Sequence, residues 1–218
     1  MKWLGKDNSE SEYVSGWKFC HGEEVERNYK EALMWYERAS KHGHAKAMNE
    51  LGLMYENSWG VLQNDTEAAK WYKKAAEQDN ADALFNLGRM YESGRGLLDR
   101  SYSEAANCYL RASYLGNAEA QNQLGWLYHI GLGVKRNYEE AVKWITASAD
   151  QGLVLAINNL GWIYRHGIGV HKNRNEAIKW FKTAAEQGSA YAYSNLTDLG
   201  VDVSRYRDNE KHIIRKIT

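Results

Sequence analysis

Proline does not occur in this chain of 218 residues, and cysteine occurs only twice, at Cys20 and Cys108. Two cysteines 88 positions apart cannot staple a small fold, so a reducing compartment is expected. No charge of either sign dominates: Lys plus Arg and Asp plus Glu each number 28. A field that would draw the chain to nucleic acid or to an anionic membrane is therefore not expected. Long apolar runs are missing as well, so no membrane span is expected. The segment MKWLGKDNSESEY turns polar after Trp3 and Leu4 and offers no core for an export signal. A cytoplasmic location follows as an expectation. With 44% hydrophobic and 12% aromatic residues and no proline, the composition is that of a folded, helix-compatible chain rather than a disordered one.

What the chain does have is a period. Leu-Gly recurs at Leu51-Gly52, Leu87-Gly88, Leu124-Gly125 and Leu160-Gly161, and Leu196 continues the register, in steps of 36, 37, 36 and 36 residues. The one extra residue falls between Gly96 and Ala105, in a loop, where insertion costs least. Each copy begins with small residues, then Leu-Gly, then Tyr: Ala45, Ala47, Leu51, Gly52 and Tyr55 are repeated by Ala81, Ala83, Leu87, Gly88 and Tyr91. At 3.6 residues per turn the second Ala, Leu and Tyr share one helical face. Glycine is unfavourable inside a helix, so its return at one register indicates close approach of a partner helix.

A double-glycine turn follows, at Gly94–Gly96, Gly131–Gly133 and Gly167–Gly169, with Ser58 and Glu24 as departures. Four residues before each second-helix alanine stands a capping side chain: Asn28, Asn64, Ser101, Asn137 and Asn173. The second helix then carries an apolar stripe, as in Ala68, Trp71, Tyr72 and Ala75 or Ala177, Trp180, Phe181 and Ala184. Cys108 takes the Trp place in its copy, which makes it a packing residue rather than a nucleophile.

The pattern A-x-A…LG-x-x-Y…G-x-G-V…A-x-x-W-Y…AA-x-Q-G, running over about residues 9–199, resembles the Sel-1-like repeat family, relatives of the tetratricopeptide repeat. The tetratricopeptide period is about 34 and lacks the double-Gly turn. The resemblance implies an all-α, right-handed α-solenoid of helix–turn–helix repeats with a concave groove, used mainly as a scaffold for protein–protein contacts. About five repeats are expected, at 8–44, 45–80, 81–117, 118–153 and 154–189, forming one solenoid over 1–199 with a final helix at 190–199. The tail, 200–218, is expected to cap the open end through Ile213, Ile214 and Ile217.

In such an array the repeated positions build the scaffold and the variable positions of the first helices build the site. With each first helix numbered from its leading Ala, places two, five, six, nine and twelve lie within about 120° of one another, opposite the core face. Place nine holds Trp17, Leu53, Arg89, Trp126 and Trp162. Exposing a Trp forgoes roughly 4–6 kcal/mol of burial at about 25 cal/mol/Å², so these rings either pack on the next repeat or anchor a partner. Place six is a ladder, Glu50, Asn86, Gln123, Asn159 and Asn195, whose amides can bond a partner's backbone or the adjacent repeat. The best candidate patch combines aromatic anchors with Arg: Phe85, Arg89, Asn122, Trp126, His129, Asn158, Trp162 and Arg165.

None of the histidines shows metal-ligand spacing, and the glycines link helices rather than a strand to a helix, so no metal, cofactor or phosphate loop is expected. The expectation is a monomeric, non-enzymatic interaction module that binds a protein or peptide partner. A toxin-neutralising immunity protein is the alternative. A hydrolase like that suggested for cysteine-rich relatives is a third reading, which the missing cysteines weaken.

Overall fold

The computed structural model describes residues 8–96, 99–204 and 206. Among the described residues it is all helix, with no strand. The chain divides into two compact units, residues 1–115 and 116–218. The first contains α1 (Ser9–His21), α2 (Tyr29–Lys41), α3 (Ala45–Asn57), α4 (Asp65–Ala76), α5 (Ala81–Ser93) and α6 (Tyr102–Tyr114). The second contains α7 (Ala118–Ile130), α8 (Tyr138–Asp150), α9 (Val154–His166), α10 (Arg174–Glu186) and α11 (Ala190–Asp198).

Each repeat is an odd-numbered helix packed on the even-numbered helix that follows it, and within each unit each even-numbered helix packs on the next odd one. The glycine after each Leu is what lets the pair close. A Cβ on Gly52 would sit 2.4 Å from the Tyr72 ring, and one on Gly161 would sit 2.7 Å from Phe181. Those distances are far inside van der Waals contact, so the missing side chain is the room into which the buried ring fits. Tyr36, Tyr72, Tyr109, Ile145 and Phe181 fill this slot in turn, each almost fully buried.

The turn is closed by backbone. The cap residue after each first helix of the complete repeats has positive φ (Gly94 at 70°, Gly167 at 73°), and its N–H returns to the carbonyl four residues back. The N–H of the next helix's cap then donates to the residue at place eleven: Asn64 to Tyr55 O at 3.0 Å, Asn137 to Tyr128 O at 2.9 Å, Asn173 to Tyr164 O at 2.9 Å. Each capping Asn in turn accepts two N–H bonds of the second helix through its side chain, relieving donors that the helix cannot satisfy itself. The departures keep this geometry without glycine: Ser58 (φ 61°) and Glu24 (φ 62°) both adopt the left-handed conformation.

In the second unit, Val203 and Tyr206 are buried in the core that Leu196 and Phe181 share, and the Tyr206 ring lies 6.2 Å from Tyr193. These two residues cover the far side of α11. The isoleucines expected to do so, Ile213, Ile214 and Ile217, lie outside the described residues.

Candidate functional site

The outward face of the first helices differs between the units, and the difference begins with the ring that fills the glycine slot. In the first unit that ring carries a hydroxyl, and in its second and third repeats place twelve supplies the partner. Tyr72 Oη donates to Glu56 Oε2 at 2.7 Å and Tyr109 Oη donates to Glu92 Oε2 at 2.8 Å. Burial, then the bond to the carboxylate, pushes both phenols above their ordinary range. Glu56 is shared further. Arg95 donates to it at 2.8 Å while forking onto both Asp65 oxygens, and those bonds hold the Asp65 carboxyl below its usual value.

Phe85 and Arg89 belong to this network. Arg89 donates to Asn86 Oδ1 at 3.3 Å and meets Glu56 at 3.5 Å, with its guanidinium 5.9 Å from the Phe85 ring centre. Phe85 in turn lies 5.8 Å from Tyr109. Arg89 remains largely exposed, but its charge is already answered within the repeat pair.

In the second unit the slot is filled by Ile145 and Phe181, which have no hydroxyl, and place twelve becomes His129 and Arg165. His129 Nδ1 has no hydrogen-bond partner. The ring stands among aromatics instead: Trp126 at 5.2 Å, Trp162 at 5.5 Å and Tyr138 at 5.6 Å between centroids. Trp126 and Trp162 lie 5.8 Å apart, and Trp162 extends the cluster to His166 at 4.6 Å. The place-nine rings therefore pack on one another from α7 to α9 and remain partly exposed. Burial, with Arg136 adding to it, holds the His129 imidazole below its ordinary pKa. Burial, then Arg165 and Lys172, does the same to His166. Both rings are accordingly biased toward the neutral form, which packs against an indole without the cost of desolvating a charge.

Two residues of the candidate patch sit differently from the sequence expectation. Asn122 is 1% exposed and Asn158 is 8% exposed, so neither is free to meet a partner. Each is the acceptor of a rung between repeats: Asn159 Nδ2 donates to Asn122 Oδ1 at 2.9 Å, and Asn195 Nδ2 donates to Asn158 Oδ1 at 3.2 Å. The first unit repeats the rung with Asn86 Nδ2 and Asn49 Oδ1 at 3.1 Å. Place six of one helix thus bonds place five of the helix before it. The expectation failed because a helical wheel separates core from surface but does not show the side of a first helix that abuts its neighbour.

Arg165 sits at the end of α9, donating to Asn195 at 3.2 Å and meeting Asp198 at 3.4 Å. It also lines a pocket with His166, Lys172, Arg174 and Leu199. His166, Lys172 and Arg174 were not in the candidate patch. They lie past the helix end, where a wheel has no reach. Among the described residues, no helix is long and apolar enough to cross a membrane. Both cysteines are buried and unbonded to each other, and burial pushes the Cys108 thiol up to about 11. At neutral pH that thiol is protonated and unsuited to nucleophilic attack.

Comparison with known proteins now adds family. A family model described as Sel1 repeat matches residues 9–44, 45–80, 81–117, 118–153 and 154–189. The chain is similar to a solved Sel1 repeat protein from Oxalobacter formigenes, at 32% identity and a TM-score of 0.85, over 100% of this chain and 91% of that one. It is also similar, at 32% identity and a TM-score of 0.79, to a protective antigen of uropathogenic Escherichia coli displaying an SLR fold, covering 94% of this chain. The chain spans about half of that antigen's length (46%). An immunity protein from Pseudomonas aeruginosa shares the fold at 23% identity and a TM-score of 0.56, over 85% of this chain and 68% of that one. A search of curated proteins finds no match.

Proposed function

Since the chain belongs to the Sel1 repeat family, with five repeats spanning residues 9–189, we propose that it acts by binding another protein, without catalysis, through the outward face of α7 and α9. The observation that carries this reading is the cluster of Trp126, His129 and Trp162, whose rings pack on one another and are only partly covered. Partly exposed indoles clustered on one face are the kind of side chain enriched where binding energy concentrates. The first unit's counterpart positions are spent internally, Arg89 on Glu56 and Asn86, Glu92 on Tyr109. Function in a reducing compartment is part of the same proposal, in keeping with two buried thiols that do not pair.

The test compares the full chain with a variant carrying Trp126→Ala and Arg165→Glu in affinity capture from the native cell. The reading expects a protein recovered with the unaltered chain and lost with the variant, while circular dichroism and the thermal midpoint show the variant folded. Recovery of the same protein in equal amount by both would overturn it. A single partner held in a stoichiometric and very tight complex would indicate neutralisation of a toxin, whereas several weaker partners would indicate an adaptor.

A further inference from the structure

The chain is neutral as a whole, yet its basic residues are not evenly spread. From Gln151 to Asn175 there is no Asp or Glu at all, and the stretch carries Arg165, His166, His171, Lys172 and Arg174. The fold gathers most of these at one place: Arg165 and His166 from the end of α9, Lys172 from the turn and Arg174 from the start of α10 converge on a pocket that Leu199 also lines. Among the described residues the sole carboxylate near them is Asp198, 3.4 Å from Arg165, and no carboxylate lies within ion-pair distance of Lys172 or Arg174. Arg174 spends one N–H on the Leu199 carbonyl and has no ion-pair partner among the described residues. The pocket is continuous with the aromatic cluster, because His166 both lines it and packs at a tilt against Trp162.

We propose that this pocket receives an acidic side chain of a protein partner, and that an apolar residue next to that side chain lies on Trp162. The proposal rests on the binding reading above and adds the partner's chemistry. Size decides between a side chain and a free ligand. At about 230 Å³ the cavity is smaller than the roughly 300–1,000 Å³ typical of sites that enclose a small molecule. It is large enough for one carboxylate-bearing side chain projecting from a larger body. Charge complementarity decides the sign: Lys172 and Arg174, crowded together with no matching anion among the described residues, are relieved by an incoming carboxylate. Two arginines suit it further, since a guanidinium can hold a carboxylate through paired N–H bonds.

The experiment uses the full chain and a fluorescein-labelled twelve-residue peptide of alternating Glu and Leu, beside a matched peptide with every Glu replaced by Gln. Anisotropy is expected to show binding of the Glu peptide that weakens as salt rises, with the Gln peptide at least tenfold weaker. The double variant Lys172→Glu, Arg174→Glu is expected to lose at least tenfold in affinity for the Glu peptide. Arg174→Glu gives up the bond to the Leu199 carbonyl, so circular dichroism and the thermal midpoint check that the variant is folded, as expected at a helix N-terminus where acidic side chains are favourable. Equal binding of both peptides, an unaffected double variant, or no binding at all would each overturn the proposal. So would equal competition by inorganic phosphate or by a single-stranded oligonucleotide, which would mark a general polyanion surface. The two readings fail separately. A captured partner that depends on Trp126 but not on Lys172 and Arg174 removes the acidic-pocket inference alone, and a partner indifferent to all of them removes both.

Discussion

Ser58 occupies a backbone position that most of its counterparts fill with glycine. Its φ is 61°, and Gly22, Gly94, Gly131 and Gly167 take 70° to 79° at the same place. A side chain in the left-handed region costs about 1 kcal/mol, set against the extra unfolded-state freedom of glycine and the Ser58 Oγ bond to Val61 O at 3.0 Å. The balance favours Ser58→Gly, expected to raise the free energy of unfolding by a few tenths to about 1 kcal/mol in a denaturant titration. Gly161 is the opposite case. Its φ is helical, and what excludes a side chain is Phe181, 2.7 Å from where the Cβ would stand. Gly161→Ala must displace a buried ring and is expected to cost about 1–3 kcal/mol in the same titration. The two glycine places therefore answer to different physics, conformation in the turn and volume in the helix. A Ser58→Gly variant less stable than the parent would sink this distinction.

At the scale of the helix pair, much was legible in the sequence because helical geometry is local. The spacing of Leu51, Gly52 and Tyr55 located the first-helix core face, and Asn64 and Asn137 were identified as caps from their distance to the following alanine; both accept the expected backbone bonds. Asn122 and Asn158 were misplaced because their burial is set by the lateral neighbour, which periodicity along one helix does not encode. The coupling between the slot ring and place twelve was also present in the sequence, as Tyr72 with Glu56 and Tyr109 with Glu92 against Phe181 with Arg165. It becomes visible only when the two helices are set side by side. The rungs themselves can be tested. Asn122→Leu or Asn159→Leu alone strands one buried amide and is expected to cost about 1–3 kcal/mol, whereas the pair changed together is expected to cost well under the sum. A double-mutant cycle with no coupling energy would mean that the 2.9 Å bond contributes nothing specific.

For the whole molecule, burial acts on titratable groups of both signs and shapes stability against pH from both sides. His129 and His166 have folded pKa values below the ordinary 6.5, so the unfolded chain takes up protons first as pH falls. Their contribution is complete above about pH 6.5 and declines below it, down toward their folded values. Asp65, held below 3.8 chiefly by Arg95, yields its contribution only at lower pH, so the first part of the acid decline belongs to the imidazoles. On the alkaline side the sign reverses. Cys108 is raised from 9.0 to about 11, so its contribution is complete below pH 9 and is lost as pH climbs toward 11, with the Tyr72 and Tyr109 phenols adding to the same limb. Glu50 works against the plateau: burial raises its carboxyl above 4.5, so keeping it ionised at neutral pH weakens the fold, and acidification relieves that strain. The expected profile of thermal midpoint against pH is a dome that begins to fall below about pH 6.5 and again above pH 9. In His129→Gln, His166→Gln the fall just below pH 6.5 is expected to flatten while the alkaline limb is unchanged. An acid limb that persists unaltered in that double variant would assign it to other groups and remove the imidazoles from the account.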